Sequence, residues 1–398
     1  MMSRTWLTIH FCWFSILGSV LTTTSLYEEN NPPKIEWVAE TTAKDQNSFG
    51  GFRLDGDQIF VGAEDGAIRA LNRKTGEVQW TVERQGRAFS PPPCDATRVY
   101  FATHHGLTAV SRINGEFDWR FNIEGGAENS ILSESKRLII VGGLDGKIYA
   151  VDRETGLEKW RLDILNDAPR PPAGFDPNEI RGERNLALPM GMECDEECVY
   201  ACIADQGRIV AIELASGKKR WSYQTGNAVY YGPTVSIDCV IIGSRDQHFY
   251  CLQKKSGELI WKFKTEGRAD QKGVIEKDAF YVGAGDGNFY CINMSDGALR
   301  WRFRADNVAK VAKFGIYTMP ILRTSEIIFA AQDSTLYSLE KPTGKVRWKF
   351  RVDANSSVWK DIAFDGERVY LVLRKNYTLG VGFDPKGINA IVAVTLAH

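Results

Sequence analysis

The chain has 398 residues, of which 43% are hydrophobic and 25% charged, and its 49 basic and 50 acidic side chains nearly cancel. This balance excludes an intrinsically disordered protein, a polytopic membrane protein and a chain that binds nucleic acid through a basic stripe or tail. At about 150 residues per domain the length suggests two or three domains, although closed rings of β-sheet exceed this size as one unit. The 37 glycines and 11 tryptophans indicate many tight turns and a recurring large apolar side chain.

The first 25 residues are typical of a secretory signal peptide. Arg4 supplies a basic start, an apolar stretch follows from Trp6 to Leu21, and small polar residues end the segment. The apolar stretch is short for a membrane span, which needs about 20 residues. We therefore predict a signal peptide at residues 1–25 and an exported chain without a transmembrane span after cleavage. Its location would be extracellular, or periplasmic in a bacterium.

A repeat of about 40 residues fills the rest of the chain, and a tryptophan ends each copy. Successive tryptophans are separated by 43, 39, 41, 61, 40, 40 and 47 residues. Each copy has an apolar run, a turn that is often Asp-Gly, a second apolar run, a glycine-containing turn and a strand that ends in tryptophan. The marking residues are Trp37, Trp80, Trp119, Trp160, Trp221, Trp261, Trp301 and Trp348.

Four short antiparallel strands per repeat are typical of one blade of a β-propeller. Asp-Gly turns between β-rich runs favour tight hairpins, because glycine adopts positive φ without a Cβ clash. Seven complete copies run to Trp348 and residues 357–395 supply an eighth. The sequence thus predicts an all-β, eight-bladed β-propeller of four-stranded antiparallel blades over residues 26–398, with seven blades as the alternative. Ile35–Ala39 is favoured as the outer strand that closes the last blade, and Ile388–Thr395 competes for that place.

The repeat is similar to that of the PQQ-like, or quinoprotein-type, β-propeller family, Tyr-Val-Gly-x-x-Asp-Gly-x-Leu-Tyr-Ala-Leu-Asp-x-x-Thr-Gly-x-x-x-Trp. One copy reads Tyr281-Val-Gly-Ala-Gly-Asp-Gly-Asn-Phe-Tyr-Cys-Ile-Asn-Met-Ser-Asp-Gly-Ala-Leu-Arg-Trp301, and the resemblance covers nearly all of residues 35–395. It implies either an eight-bladed quinoprotein dehydrogenase or a BamB-like non-catalytic scaffold. Dehydrogenases of the family hold the quinone PQQ and a calcium ion with the help of an adjacent-cysteine disulfide. This chain has no Cys-Cys pair, so no catalytic residue is carried over, and PQQ and calcium belong only to the dehydrogenase alternative.

Aspartates in the Asp-Gly-type turns could be imagined as a ring of metal ligands. Hydrogen bonds from each carboxylate to its own turn backbone explain them without a metal, and we predict none. The marking tryptophans are likewise interpreted as packing between adjacent blades. The turn aspartates are Asp65, Asp145, Asp246, Asp286 and Asp333.

Two further patterns concern covalent chemistry. Cys194 and Cys198 bracket a three-residue hairpin loop and could face each other as a disulfide in an oxidising compartment. Cys251 and Cys291 take a place held by alanine in other copies, which predicts small buried residues.

Three sequons would be N-glycan acceptors in a eukaryotic host. They are Asn293, Asn355 and Asn376.

The connections from the outer strand of one blade to the inner strand of the next are predicted to share a face with the Asp-Gly turns. Function usually lies on loops that a rigid scaffold presents, and these connections could line a funnel for a peptide or a small anionic ligand. The candidate residues are Arg87, Glu128, Tyr230, Tyr231, Arg268, Asp270, Lys272, Lys313, Trp359 and Lys360. A proline-rich insertion at 163–187 is the strongest candidate for a partner-binding element, with Phe175, Arg181 and Arg184 as contact residues.

These patterns favour a secreted, non-enzymatic propeller that acts as a protein-binding or assembly scaffold. Its partner would be a protein or the extracellular matrix, and not nucleic acid. The alternative is an oxidoreductase, dependent on quinone or acting on another small molecule, that uses the central funnel.

Overall fold

The computed structural model describes residues 32–40, 49–63, 66–83, 88, 90–164, 189–269, 271–306, 315–354, 356–358, 362–375 and 389–396. The predicted signal peptide and nearly all of the insertion lie outside these residues. The blades belong to one compact unit, Pro33–Leu396, while of the separate unit of residues 1–32 and 397–398 only Pro32 is described. Among the described residues, no helix has the length and apolar character needed to cross a membrane.

Within this part of the chain, 32 strands form eight antiparallel sheets, as predicted for an eight-bladed propeller, and the seven-blade alternative is wrong. The chain begins with β1 (Lys34–Glu40), which is followed by blades 1 to 4. Blade 1 contains β2 (Phe49–Asp55), β3 (Gln58–Ala63), β4 (Ile68–Asn72) and β5 (Val78–Val82); blade 2 contains β6 (Arg98–Thr103), β7 (Gly106–Ser111) and β8 (Phe117–Asn122); blade 3 contains β9 (Ala127–Ser133), β10 (Leu138–Gly143), β11 (Lys147–Asp152) and β12 (Glu158–Asp163); blade 4 contains β13 (Pro189–Cys194), β14 (Cys198–Ile203), a 3₁₀ turn (Ala204–Gln206), β15 (Arg208–Glu213) and β16 (Lys219–Gln224).

Blades 5 to 8 repeat this order from the inner to the outer strand. Blade 5 contains β17 (Thr234–Val235), β18 (Cys239–Ser244), β19 (His248–Gln253) and β20 (Leu259–Lys264); blade 6 contains β21 (Val274–Glu276), β22 (Ala279–Gly283), β23 (Asn288–Asn293) and β24 (Leu299–Arg304); blade 7 contains β25 (Ile321–Leu322), β26 (Glu326–Ala330), β27 (Thr335–Glu340) and β28 (Val346–Arg351); blade 8 contains β29 (Ser356–Val358), β30 (Ala363–Phe364), β31 (Arg368–Lys375) and β32 (Asn389–Thr395).

Blade 8 is closed by both ends of the chain. Its inner strand is split into β29 and β30, which both pair with β31, and β32 follows as the third strand. β1 pairs with the far edge of β32, with Trp37 opposite Ala393. The N-terminal strand therefore takes the outer place, as favoured. The competing placement of Ile388–Thr395 is wrong, because β32 has a paired strand on each side.

Blade 2 departs from the expected four strands, since the described residues give it three. Its inner place holds an isolated bridge between Cys94 and Val99. Three consecutive prolines, residues 91–93, precede Cys94, and proline has no N–H to donate to a strand ladder. The innermost strand of this blade is therefore reduced to one residue.

The core of the ring lies between the blades. The described residues form eight apolar clusters, each at one interface between neighbouring blades. Second strands such as β14 and β18 are buried along their whole length because a neighbouring blade covers each face. In the outer strand β20, burial alternates along the chain instead: Trp261 is buried and its two neighbours are exposed. This alternation is the pattern that the sequence shows around each tryptophan.

The outer-strand tryptophans join each blade to the next one. Seven indole N–H groups donate to a carbonyl in the last turn of the following blade, over 2.7–3.2 Å. Each ring lies against the glycine of that turn, where φ is 69–76° and a Cβ would come within 2.5–2.9 Å of the ring. The contacts are Trp37 with Arg73 and Gly76, Trp80 with Arg112 and Gly115, Trp119 with Arg153 and Gly156, Trp160 with Leu214 and Gly217, Trp221 with Lys254 and Gly257, Trp261 with Met294 and Gly297, and Trp301 with Lys341 and Gly344.

Most of the residues that accept these bonds also carry a cation, which reaches back to a carboxylate in the first hairpin of the preceding blade. Arg112 lies 3.2 Å from Asp55, and Lys254 lies 3.2 Å from Asp195. One residue thus holds the preceding blade through its carbonyl and through its side chain. The remaining pairs are Arg73–Asp365, Arg153–Asp95 and Lys341–Glu276.

The predicted disulfide between Cys194 and Cys198 is wrong, because both cysteines are free. Cys194 lies opposite Val199 instead, since Asp195 caps a four-residue turn by accepting the N–H groups of Glu197 and Cys198, each at 2.8 Å. Cys194 packs against the cluster between blades 3 and 4, whereas Cys198 belongs to the cluster between blades 4 and 5. The two thiols therefore lie on opposite faces of blade 4.

Cys251 and Cys291 are buried, as predicted, and each lies opposite the tryptophan of its blade.

Replacing Gly257 with alanine should lower the free energy of unfolding by about 3 kcal/mol, because the new Cβ would lie 2.7 Å from the Trp221 ring at a φ of +76°. Gly56→Ala is the matched control. Gly56 also has a positive φ, but its nearest neighbour is a terminal nitrogen of Arg112 at 3.7 Å, so we expect about 1 kcal/mol. Urea unfolding measures both losses, and equal values would contradict the tryptophan–glycine contact.

Glu36 on β1 accepts hydrogen bonds from Arg368 on β31 and from Thr395, and the bond from Arg368 holds its pKa below the ordinary value. A pKa lowered by folding adds stability that is full above the unfolded pKa and is lost as the pH falls through the folded pKa. Glu36→Gln should therefore be less stable than the wild type at neutral pH, by up to about 1 kcal/mol, and equal to it in acid. Urea unfolding at both pH values tests this, and a difference that persists in acid would refute it.

All seven cysteines of the described residues should react with iodoacetamide when the chain is unfolded without reductant. Burial raises the pKa of Cys194 to about 12, which keeps this thiol protonated and slow in disulfide exchange. Mass spectrometry of the peptide with Cys194 and Cys198 should show two alkylated residues. An unalkylated peptide lighter by two hydrogens would contradict the structure.

Candidate functional site

The connections between blades share a face with the hairpins that join the second and third strands, as predicted. Among the described residues, the connections after blades 2, 4, 5 and 6 are hydrogen-bonded to such a hairpin of the blade that follows. The N–H of Arg245 donates to the carbonyl of Ala228 over 2.9 Å, and the N–H of Gly285 donates to the carbonyl of Arg268 over 2.7 Å. We call this side of the ring the connection face.

The turn aspartates on this face are hydrogen-bonded within the protein. Asp246 accepts the N–H of His248 at 3.0 Å, the hydroxyl of Tyr250 at 2.6 Å and the N–H of Gly226, from the preceding connection, at 2.7 Å. Asp286 makes the corresponding bonds in blade 6. The predicted bonds from the turn backbone are thus present at Asp145, Asp246, Asp286 and Asp333, while Asp65 lies outside the described residues. The described residues contain no group of three His, Cys, Asp or Glu side chains that could hold a metal ion.

A patch of tyrosine and arginine side chains lies on the connection face around blade 5. The guanidinium of Arg245 stacks 4.0 Å from the centre of the Tyr230 ring. Tyr231 is 41% exposed and Arg268 is exposed. We call these four residues the tyrosine–arginine surface; tyrosine and arginine are enriched in protein–protein interfaces.

Ser244 forms hydrogen bonds to both of the inter-blade segments that carry this surface. Its hydroxyl donates to the carbonyl of Asn227 at 2.9 Å, and its carbonyl accepts the N–H of Ala269 at 3.1 Å. The hairpin that begins at Ser244 therefore lies between the segment with Tyr230 and the segment with Arg268. The patch is fixed by backbone hydrogen bonds on both sides, so its side chains project from a rigid base.

Two other predicted residues lie apart from this surface. Lys272 forms an ion pair with Glu193 of β13, which joins residues of blades 4 and 6 past the two-residue inner strand of blade 5. Its charge is therefore neutralised within the ring. Glu128 is the bulged residue of β9, between Ala127 and Asn129, and is partly buried in blade 3.

The other predicted contact residues lie outside the described residues, as do two of the three sequons. They are Arg87, Phe175, Arg181, Arg184, Asp270, Lys313, Trp359, Lys360, Asn355 and Asn376. Sequence reasoning missed Arg245 and Glu193. Arg245 directly precedes the turn aspartate Asp246, a place taken by Leu144 and Gly285 in blades 3 and 6, and this substitution was the available signal.

Asn293 ends β23 at the last turn of blade 6. Its amide nitrogen donates to Ser295 Oγ at 3.0 Å and to Asp296 Oδ1 at 2.7 Å, and its oxygen accepts from Arg300 at 2.8 Å. A glycan on this nitrogen would replace these donor bonds. Glycosylation at Asn293 stays a prediction.

The residues of this chain do not match the quinone–calcium site that the repeat family can carry. The adjacent cysteines are missing from the sequence. On the connection face, the carboxylate oxygens of Asp246 and Asp286 accept hydrogen bonds from turn N–H groups and tyrosine hydroxyls. No reaction step through a quinone is therefore derived.

Comparison with known proteins relates the repeat to one family. The family model described as outer membrane protein assembly factor BamB matches residues 34–263, 144–303 and 254–387. BamB from Yersinia pestis is 28% identical over 195 residues, which are 45% of this chain and 44% of that protein. BamB from Shewanella oneidensis is 27% identical over 172 residues, 42% of this chain and 41% of that protein. The chain thus spans less than half the length of these curated relatives.

Solved structures show the same fold over nearly the whole ring. The crystal structure of BamB from Moraxella catarrhalis has a TM-score of 0.67 at 14% identity, and covers 90% of this chain and 99% of that one. The computationally designed protein Ika8 has a TM-score of 0.66 at 15% identity, with 88% and 97% covered. Because the family model matches the repeats from β1 almost to β32, the chain belongs to the PQQ-like propeller family of the outer membrane protein assembly factor BamB.

Proposed function

We propose that the chain is an exported, non-catalytic scaffold that binds a protein partner through the tyrosine–arginine surface. The observation that carries this proposal is the combination of exposed aromatic and cationic side chains with a hydrogen-bonded base. The printed name of its relatives, outer membrane protein assembly factor, supports an assembly role. Membership of the family and the signal-like residues 1–25 support export.

The rigid base lowers the cost of binding. Backbone bonds fix both connections, and the contact with Arg245 fixes the Tyr230 ring, so little conformational entropy is lost when a partner docks. Tyrosine adds a large apolar area with a hydroxyl, and arginine adds planar donors for carboxylates and backbone carbonyls. A polypeptide segment with acidic side chains or free carbonyl groups fits this surface.

The proline-rich insertion extends the proposed partner site. In the sequence it lies between β12 and β13, an outer and an inner strand of successive blades. Phe175, Arg181 and Arg184 are proposed as further contacts there. A component of the extracellular matrix is the proposed partner in a eukaryotic host, and an envelope protein in a bacterial one.

The double variant Tyr231→Ala/Arg268→Ala should bind the partner at least about tenfold more weakly, because truncated interface anchors each cost more than 1 kcal/mol. The partner is captured from the host's envelope or secreted fraction with the wild-type chain, identified by mass spectrometry and titrated by biolayer interferometry. Ile237→Ala is the control, since Ile237 is 85% exposed in the turn between β17 and β18, on the opposite side of the ring. Equal affinity of the wild type and the double variant would reject the proposed surface.

A further inference from the structure

A cavity of about 410 Å³ lies between blades 6 and 7, on the side of the ring opposite the connection face. Its wall comes from the first hairpins of both blades, from the last turn of blade 7 and from the outer strand β24. The lining residues used below are Glu276, Tyr281, Arg300, Trp301, Thr324 and Lys341. Its volume is in the range of sites that bind small molecules.

The cavity coincides with a departure from the repeat. In blades 2, 4 and 8, a tyrosine of the second strand donates its hydroxyl to an aspartate five residues earlier, in the first hairpin. These bonds are Tyr100–Asp95 at 2.6 Å, Tyr200–Asp195 at 3.0 Å and Tyr370–Asp365 at 2.8 Å. In blade 6 the corresponding pair is Tyr281 and Glu276, so a longer acid replaces the aspartate.

As in blades 2, 4 and 8, the carboxylate pairs with a cation of the following blade, here through both of its oxygens. Both oxygens of Glu276 accept from Lys341 Nζ, at 2.6 and 2.7 Å. The Tyr281 ring lines the cavity beside Trp301, with 6.0 Å between the ring centres. Burial raises the pKa of Tyr281 to about 12, so its hydroxyl stays protonated. It is hydrogen-bonded to the Cys291 thiol in the cavity wall, and sulfur is a weak acceptor that a ligand oxygen can replace.

Four of the five charged side chains of the wall form two ion pairs, and the fifth, Lys277, is exposed to solvent. Lys341 is only 8% exposed and is paired with Glu276, while Arg300 makes bonds of 2.6 and 3.1 Å to the carboxylate of Asp278. A charged ligand would have to displace one member of a pair, which would leave the other uncompensated. A neutral ligand rich in hydroxyls can instead donate to the carboxylates and accept from the cations, Tyr281 and Thr324.

We propose that this cavity binds a neutral carbohydrate of one or two sugar units, with its apolar face toward Trp301. The partly exposed indole covers the C–H groups of a sugar ring, and the paired ions and hydroxyls bind its oxygens. This site is separate from the tyrosine–arginine surface and does not depend on the proposed function.

The test uses the full chain on a glycan array that displays neutral α- and β-linked di- and trisaccharides beside sialylated and sulfated ones. The neutral sugar with the strongest signal is then titrated by calorimetry. Tyr281→Phe should weaken its binding about tenfold, which corresponds to one lost hydrogen bond. Tyr200→Phe removes the corresponding hydroxyl in blade 4 and should leave sugar binding unchanged.

Thr324→Trp places a large ring at an exposed position of the cavity wall and should abolish binding. This variant tests the site even if Tyr281→Phe proves unstable, and circular dichroism checks that both are folded. Binding to no neutral glycan, or only to anionic ones, would overturn the proposal. So would equal effects of Tyr281→Phe and Tyr200→Phe, or full binding by folded Thr324→Trp.

Discussion

The ring is held by a contact that recurs at seven of its interfaces, in which an outer-strand indole lies on the glycine of the next blade's last turn. The geometry requires both residues at once. A Cβ at Gly257 would enter the space of the Trp221 ring, and the indole N–H would lose its acceptor if the turn moved away from the Lys254 carbonyl. Small third-strand residues complete the contact, since Ala211 lies opposite Trp221. Tryptophan, glycine and a small residue therefore recur together in the sequence.

This contact also positions the charged groups between blades. The turn that accepts the indole N–H directs Arg112 or Lys254 toward a carboxylate of the preceding blade. Three of the four aspartates, Asp95, Asp195 and Asp365, also cap their own hairpins and accept a tyrosine hydroxyl. At the interface of blades 6 and 7 the acid is Glu276, which binds Lys341 through both oxygens. The cavity beside Tyr281 lies at this interface.

The fold could be predicted from the sequence because each blade contact depends on residues at fixed positions in the repeat. The blade count, the closing strand β1 and the burial of Cys251 all followed from that period. Contacts that depend on the ring itself could not be predicted in this way, since Lys272 and Glu193 meet only after 79 residues of chain have curved around blade 5. The prediction of a disulfide between Cys194 and Cys198 was wrong for a local reason. Asp195 caps a turn one residue longer than expected, and in a strand that shift moves a side chain to the opposite face.

The same logic separates the residues that build the ring from those that can carry function. Tryptophans, turn glycines and hairpin aspartates are fully engaged with neighbouring blades, and a change at any of them disturbs an interface. Function can be carried where one blade departs from the repeat, as at Arg245 on the connection face, which stacks on Tyr230. Glu276 is a second departure, on the other side of the ring, and it keeps an ion pair with the following blade through Lys341. We therefore expect binding specificity at positions where one blade differs from the others while the contact that closes the ring is kept.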